Sequence, residues 1–310
     1  MVYAIHKGSL QDGPGMRTVV LFKGCSFSCW WCPNPELQSP AQELELTEGR
    51  CVRCGSCISN CTTQAVYEDG ASADAQHYSI NREICIVCGA CISGCAGHAR
   101  EIAGTCMTVA DVMEQIAPDA PLLKQSGGGV TFSGGEPLLQ SEFLNRLLEA
   151  CKALGIHTMV DTSGYTPWAF LDQIRTKVDL FLFDLKLMDE ERHWQFTGLP
   201  NSLILENLKM LAQMKHRIIL RVPVIPGIND DVENMNAVIQ FAGQLAHLDQ
   251  VILVPFQQIA PERYQRLGRP DSSAALQAPE QAYMDDLRRR FQESGLSTTI
   301  FGADQTAPAL

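Results

Sequence analysis

The chain has 310 residues, 45% of them hydrophobic, with a formal net charge of −11 and 13 cysteines. The length fits one large domain or two smaller ones. The negative net charge without a long basic run argues against a nucleic-acid partner. The lack of an 18-residue apolar stretch argues against a membrane span. Because no signal peptide is recognisable, we expect a cytoplasmic protein whose closely spaced cysteines serve metal or redox chemistry instead of disulfides.

The first predicted strand, Arg17–Phe22, leads into a loop with three cysteines in C-x3-C-x2-C spacing, Cys25, Cys29 and Cys32. A four-iron cluster normally takes four thiolates. A loop that supplies three leaves one iron open to a substrate or cofactor, as the open position does in a catalytic zinc site. A zinc knuckle with a missing ligand, or a chance cluster of cysteines, is the alternative, but three-ligand structural zinc sites are unusual. The spacing therefore favours an open-site cluster.

Two segments with identical C-x2-C-x2-C-x3-C spacing follow, 34 residues apart, with Gly, Ile and Ser recurring in register. This is the ligand spacing of bacterial two-cluster ferredoxins, in which the fourth cysteine of each run binds the other cluster. Two zinc sites are the alternative, but zinc ribbons rarely use three cysteines at this interval in tandem. We expect two [4Fe–4S] clusters, one held by Cys51, Cys54, Cys57 and Cys95 and the other by Cys61, Cys85, Cys88 and Cys91.

The two cysteine runs are flanked by a polar stretch at 39–43 and by Gly104. We therefore place an inserted α+β ferredoxin-like domain at residues 46–103, inside a larger domain made of residues 1–45 and 104–310. The remaining cysteines, Cys106 and Cys151, have no partner by spacing and are expected to be buried thiols.

The rest of the chain alternates between predicted strands and helices. The further strands are Val130–Phe132, His157–Asp161, Val178–Asp184, Arg217–Val222, Gln250–Val254 and Thr298–Phe301, and the helices are Leu138–Leu154, Pro167–Arg175, Asn201–Met214, Asp231–Leu245 and Pro279–Glu293. Such alternation with apolar strands predicts a parallel sheet covered by helices. An open or closed β/α barrel fits better than a dinucleotide-binding sheet, because no G-x-G-x-x-G follows the first strand.

Six predicted strand ends carry distinctive residues, and in parallel β/α folds the site lies at these carboxyl ends. They carry the cysteine loop, Gly134-Gly135-Glu136, Asp161-Thr162, Asp184 with Lys186, Arg221, and Gln257. Each alone has an ordinary explanation, such as a glycine turn, an N-cap carboxylate or a rim ion pair. Together they predict one polar pocket, in which glycines allow close approach and Lys186 can pair with a carboxylate.

These motifs in combination resemble a known family. The cysteine loop with Gly134-Gly135-Glu136 is similar to the radical S-adenosylmethionine (SAM) superfamily. Within it, residues 3–270 resemble the glycyl-radical enzyme activating enzymes, and the two cysteine runs resemble the insert of their larger members. The narrowing motifs are Asp12-Gly13-Pro14-Gly15-Met16-Arg17, Trp31-Cys32-x-Asn34-Pro35, Asp184-Leu185-Lys186 and Arg221-Val222-Pro223-x-Ile225-Pro226-Gly227.

The resemblance implies a fold and a mechanism. The fold is a partial (β/α)6 barrel, and the cofactors are three [4Fe–4S] clusters and SAM, whose amine and carboxylate chelate the open iron. One electron cleaves SAM to methionine and a 5′-deoxyadenosyl radical, which abstracts hydrogen from a backbone glycine of a partner glycyl-radical enzyme. The resemblance also implies a reduced flavodoxin or ferredoxin as electron donor and a monomeric enzyme.

The same resemblance implies roles for the strand-end residues. Gly134, Gly135 and Glu136 would meet the methionyl amine. Asp161, Asp184 and Lys186 would serve the sulfonium region, the ribose or carboxylate and a monovalent cation, with Lys186 also counted as catalytic. The turn Asp12–Gly15 would lie near the incoming glycyl loop. The remaining SAM-pocket residues are Trp31, Thr162, Arg221 and Gln257, the last standing where relatives often carry histidine.

Two other functions are compatible with parts of the sequence. One is a radical SAM enzyme that acts on a small molecule and uses the extra clusters as electron relays. The other is a ferredoxin-type electron carrier with a degenerate barrel. The Asp12–Gly15 motif has no evident small-molecule role, and the intact cysteine loop argues against a carrier.

Overall fold

The computed structural model describes residues 1–69, 77–258 and 261–302. The strands are β1 (Val2–Ser9), β2 (Arg17–Phe22), β3 (Glu43–Leu46), β4 (Val66–Asp69), β5 (His77–Ile80), β6 (Arg100–Ala103), β7 (Gly129–Gly134), β8 (His157–Thr162), β9 (Leu180–Asp184), β10 (Ile218–Val224), β11 (Leu248–Pro255) and β12 (Thr298–Ile300). The helices are α1 (Ser56–Ser59), α2 (Ala90–Ser93), α3 (Val109–Ile116), α4 (Ala120–Gln125), α5 (Ser141–Ala153), α6 (Trp168–Arg175), α7 (Glu190–Thr197), α8 (Ser202–Gln213), α9 (Val232–Ala242), α10 (Pro261–Arg266) and α11 (Gln281–Glu293).

An eight-stranded sheet forms the body of the molecule, in the order β1-β2-β7-β8-β9-β10-β11-β12. The seven strands from β2 to β12 in this order pair in parallel, and only β1 runs antiparallel to its neighbour. The predicted parallel sheet is therefore confirmed. Strand β1 was not predicted from the sequence; it is an edge strand with a partly exposed and charged sequence.

The sheet is buried on both faces, as its apolar strands require. In β9, Phe181 and Phe183 pack into the large core shared with the helices, while Leu180 and Leu182 belong to a separate apolar cluster on the other face. Each of these four side chains is at most 1% exposed. Alternate residues of one strand therefore serve two faces, and the strand ends remain to carry polar groups.

The predicted helices are present, with shifted ends. Helix α5 begins at Ser141 instead of Leu138, because Pro137–Gln140 forms a 3-10 turn in front of it. Helices α3, α4, α7 and α10 were not predicted. In α7 the sequence is too polar to show an apolar period, but Asp189 caps its first turn by accepting from the Arg192 amide at 2.8 Å. Among the described residues, no helix combines the length and the apolarity that a membrane span needs.

The segment between β2 and β7 contains two small antiparallel pairs, β3 with β6 and β4 with β5. Its first strand begins at Glu43, three residues before the predicted start of the insert. The backbone repeats as the sequence does: Arg53 and Val87, Gly55 and Gly89, and Gln64 and His98 all have φ between 48° and 77°. The 34-residue sequence repeat is therefore also a structural repeat.

Candidate functional site

The cysteine loop after β2 is held from two sides. On one side the Gly24 amide donates to the Leu37 carbonyl at 2.7 Å, and the Cys25 amide donates to the Gln38 carbonyl at 2.9 Å. On the other side the amides of Ser28 and Trp30 donate to carbonyls at the end of α7, at 2.9 and 3.1 Å. This frame places all three loop cysteines in the wall of one cavity of about 680 Å³.

The three thiols lie close enough to one another to interact electrostatically. Burial raises the pKa of Cys25 to about 12 and also raises the pKa of Cys29 and of Cys32, while Lys186 opposes each shift. A buried thiolate therefore needs added positive charge, which bound metal supplies. In the described part of the chain, no group of three His, Cys, Asp or Glu side chains is arranged so that it could hold a single metal ion. A four-iron cluster does not need such a set, because each thiolate binds a different iron.

A second feature of the cavity is a chain of ion pairs across neighbouring strand ends, which we call the charge ladder: Asp161, Arg221, Asp184 and Lys186. Arg221 donates through Nη2 to Asp161 Oδ1 at 2.8 Å and through Nε to Asp184 Oδ1 at 2.6 Å. Lys186 Nζ donates to Asp184 Oδ2 at 2.7 Å. The parallel register makes this possible, because it places Arg221 of β10 beside Asp184 of β9.

The two carboxylates of the charge ladder differ in their electrostatics. Burial alone would raise the pKa of Asp184, but Arg221 and Lys186 together hold it well below its usual range. Burial raises the pKa of Asp161 to about 6, and the neighbouring Asp184 adds to the rise, while Arg221 opposes it. Burial alone would lower the pKa of Arg221 and of Lys186, but their carboxylate partners raise both. At pH 7 and above the ladder therefore carries two positive and two negative charges, available to a zwitterionic ligand.

Gly134 and Gly135 are required by protein packing. A Cβ on Gly134 would lie 2.4 Å from the backbone nitrogen and oxygen of Phe22, and one on Gly135 would lie 2.1 Å from the Gly24 carbonyl oxygen. Gly134 also has φ of +116°, which favours glycine. The two glycines thus let β7 pass directly behind the start of the cysteine loop, while they still line the cavity.

Glu136 is 1% exposed, and its carboxylate is engaged by the protein itself. It accepts hydrogen bonds from the Thr162 hydroxyl at 2.7 Å, the Ser163 hydroxyl at 2.6 Å, the Ser163 amide at 2.9 Å and the Leu138 amide at 3.1 Å. Glu136 does not line the cavity. Its contact with a ligand stays a prediction, and the structure gives it the role of tying the end of β7 to the end of β8.

The other predicted pocket residues do meet at the cavity. Its wall includes Trp31, Gly134, Gly135, Asp161, Thr162, Asp184, Lys186, Arg221 and Gln257 together with the three loop cysteines. Two further residues at the cavity were not predicted as site residues: Ser133, which donates to Asp161 Oδ2 at 2.7 Å, and Phe27, whose ring centre lies 5.6 Å from Lys186 Nζ. Both residues lie next to or within a predicted motif in the sequence, and this proximity is the sequence signal that could have identified them.

The remaining cysteines lie elsewhere. None of the eight repeat cysteines lines the cavity, and all 13 thiols of the chain are free. Cys151 is buried as predicted, but the prediction for Cys106 was wrong, because it is exposed. Cys106 lies in the short connection between β6 and α3.

Comparison with known proteins identifies the class. Residues 93–238, which include the charge ladder, match the Radical SAM superfamily model. The solved structure of Streptococcus suis SuiB bound to S-adenosylmethionine shares the fold, with a TM-score of 0.51 and 14% identity, over 66% of this chain and 45% of that one. A parallel sheet with a three-cysteine loop at its first parallel strand end is consistent with this class, and residues 93–238 form a radical SAM domain.

Two curated relatives narrow the assignment. The chain is 39% identical to the trans-4-hydroxy-L-proline dehydratase activating enzyme of Clostridioides difficile, over 97% of this chain and 99% of that protein. It is 37% identical to the choline trimethylamine-lyase activating enzyme of Oleidesulfovibrio alaskensis, over 86% of this chain and 87% of that protein. The chain belongs to the glycyl-radical enzyme activating enzymes.

Proposed function

We propose that this protein activates a partner glycyl-radical enzyme by removing one hydrogen atom from a backbone glycine of that partner. The observation that carries the proposal is the shared cavity of Cys25, Cys29 and Cys32 with the charge ladder. Three thiols without a fourth suit a cluster with an open iron, and the ladder beside them suits the amine and carboxylate of SAM. Family membership favours this function over a small-molecule enzyme and over an electron carrier.

The proposed roles follow from charge and position. Cys25, Cys29 and Cys32 hold the open-site [4Fe–4S] cluster, and Lys186 and Arg221 attract the SAM carboxylate. Asp161 and Asp184 attract cationic parts of the ligand or a monovalent cation. Gln257 is exposed at the cavity wall and can hydrogen-bond a ribose hydroxyl without changing charge. When bound, the cluster and SAM supply an electron and a carbon-centred radical that removes hydrogen.

The architecture proposed around this site is a partial (β/α)6 barrel made of residues 1–45 and 104–310, with a two-cluster ferredoxin-like insert at 46–103. The repeated backbone supports the insert, and so do two matching bonds to sulfur. The Ala65 amide donates to Cys61 Sγ at 3.1 Å, and the Ala99 amide donates to Cys95 Sγ at 3.3 Å. With the open site this makes three [4Fe–4S] clusters, two of which relay an electron from a reduced flavodoxin or ferredoxin. We further propose a cytoplasmic monomer.

The partner glycine is proposed to enter beside Leu10 and Gln11, which line the cavity. Leu10 is 63% exposed, so it can meet an incoming loop. The buried Arg17 fixes the adjoining turn Asp12–Gly15 to the sheet, because it donates both to the Pro14 carbonyl at 3.1 Å and to Thr131 Oγ1 at 2.6 Å. A fixed turn at the cavity mouth is what a protein substrate requires, because its backbone must reach one atom accurately.

The test is anaerobic reconstitution followed by iron analysis and turnover with dithionite and SAM. The parent protein should bind about twelve irons and release 5′-deoxyadenosine. The Cys29→Ala variant should bind about eight irons and release no 5′-deoxyadenosine. Cys106→Ala, which removes an exposed thiol outside the cavity, should behave like the parent. Retention of all the iron and of SAM cleavage by Cys29→Ala would contradict the open-site assignment.

A further inference from the structure

The two halves of the cysteine-rich segment match closely at the sulfur atoms. Paired cysteines share the same degree of burial: Cys57 and Cys91 are buried, and Cys54 and Cys88 are exposed. The fourth cysteine of each half accepts one backbone amide, as described above. Two additional hydroxyl contacts, Ser56 at Cys54 and Thr63 at Cys61, fall on opposite predicted clusters and so favour neither. Among the described residues of the segment, solvent exposure and hydrogen bonding to sulfur therefore do not distinguish the two cluster sites.

The repeat breaks at one buried position. Helix α1, which carries Cys57, packs against β4, and the first residue of β4 is Val66. Helix α2, which carries Cys91, packs against β6, and the first residue of β6 is Arg100. Both side chains are 3% exposed, and they are 34 residues apart, as the cysteines are. One half therefore has a buried apolar group where the other has a buried guanidinium.

Arg100 lacks an ordinary charge partner. Its Nη2 donates to the Tyr78 carbonyl at 3.4 Å, and its buried Nη1 has no hydrogen-bond partner within the described ranges. No described carboxylate lies within ion-pair distance of it. Arg82 lies near Cys85 of the same half, and although Glu43 attracts it, that carboxylate forms its ion pairs with Lys23 and Arg269, so Arg82 adds positive charge to the same half. A buried cation is costly unless an anionic group balances it. The buried cysteine of this half is Cys91, on the helix that packs against the strand beginning at Arg100, and as a cluster thiolate it can balance that charge.

We propose that Arg100 gives the two insert clusters different reduction potentials, raising that of the cluster on Cys61, Cys85, Cys88 and Cys91 above that of its twin on Cys51, Cys54, Cys57 and Cys95. One-electron reduction adds one negative charge to a cluster, and a buried positive charge stabilises the reduced form. The electron lost by a one-electron donor therefore resides first on the cluster beside Arg100. The inference rests on the proposed two-cluster insert.

The experiment is a redox titration followed by electron paramagnetic resonance, in the full chain carrying Cys29→Ala so that only the insert clusters contribute. The parent should show two separate midpoint potentials. Arg100→Met removes the charge but keeps a side chain of similar length. It should lower the higher midpoint potential by at least about 59 mV, which for one electron is a tenfold change in the equilibrium constant of reduction. Arg100→Lys should keep the upper midpoint. Arg50→Gln removes an exposed arginine next to Cys51 and should leave both midpoints unchanged.

Two results would overturn the inference without contradicting the two-cluster insert. One is an Arg100→Met variant that binds about eight irons and has unchanged midpoint potentials. The other is an Arg50→Gln variant whose midpoint potential shifts as much as that of Arg100→Met. If Arg100→Met loses iron, Val66→Arg provides the reciprocal test, because a charge placed in the other half should raise the lower midpoint. An unchanged lower midpoint in an iron-loaded Val66→Arg would also overturn it. A parent that binds no insert iron would contradict the proposed two-cluster insert instead.

Discussion

Replacing Arg221 with methionine tests the charge ladder directly. The Arg221 side chain is 8% exposed and bridges Asp161 and Asp184, whose side chains are 12% and 18% exposed. The variant leaves two neighbouring buried carboxylates with Lys186 to balance both. Removing one partner of a buried ion pair costs about 3–5 kcal/mol, so we expect Arg221→Met to lose that amount of unfolding free energy.

The loss should depend on pH in a defined direction. Without Arg221 the folded-state pKa of Asp161 should rise above its present value of about 6, and the pKa of Asp184 should rise from its depressed value. A carboxyl whose folded pKa exceeds the unfolded value of about 3.9 loses stability as the pH rises through that window, because the unfolded state ionises first. Because the unfolded-state pKa is the same in parent and variant, the deficit changes only where their folded-state pKa values differ. It should be largest above the raised pKa of Asp161 in the variant and shrink as the pH falls toward about 6, the value in the parent, and the part due to Asp184 should shrink further at lower pH.

The assay is urea denaturation followed by circular dichroism at about pH 7.5 and about pH 5. The matched control is Arg217→Met, which breaks an ion pair with Asp249 in which the arginine side chain is 62% exposed. That change should cost less than about 1 kcal/mol at both pH values. The reasoning is refuted if Arg221→Met stays within about 1 kcal/mol of the parent at the higher pH, or if its deficit does not change with pH.

Three further predictions concern single residues. Gly134→Ala should destabilise the protein by about 1–3 kcal/mol more than Gly127→Ala in the same urea assay, because its Cβ would meet the Phe22 backbone whereas that of Gly127 meets open space; equal effects would contradict the packing argument. Glu136→Gln should cost about 1–3 kcal/mol and weaken SAM binding in calorimetry, because an amide nitrogen cannot accept from Ser163; unchanged affinity and stability would remove its positioning role. Burial lowers the pKa of His193 to about 4, so histidine hydrogen–deuterium exchange should show it titrating near there, with stability lost as the pH falls from about 6.5 toward 4; titration near 6.5 would show that it is not buried.

Much of the site could be predicted because two simple rules place it. Parallel strands end at one edge of a sheet, so Asp161, Asp184 and Arg221 had to lie close together. The spacing of Cys25, Cys29 and Cys32 could be read without knowing the fold. The ion pairs among these residues could not be predicted in the same way, because they depend on the register between β9 and β10.

Other features needed the structure. Nothing in Gly134-Gly135-Glu136 shows that the glycines face the backbone of Phe22 and Gly24, or that the carboxylate turns toward Thr162 and Ser163. The polar helix α7 has no apolar period, yet its end holds the cysteine loop. The difference between Val66 and Arg100 is visible in the repeat, but only burial shows that it matters.

The central claim, direct hydrogen abstraction from a partner glycine at the Cys25–Cys32 site, is tested most directly by isotope transfer. A glycyl-radical enzyme produced with deuterated glycine is incubated anaerobically with this protein, SAM and dithionite, and the 5′-deoxyadenosine is analysed by mass spectrometry. The account predicts one deuterium in 5′-deoxyadenosine for each glycyl radical detected by electron paramagnetic resonance. Unlabelled 5′-deoxyadenosine together with a glycyl radical on the partner would contradict it.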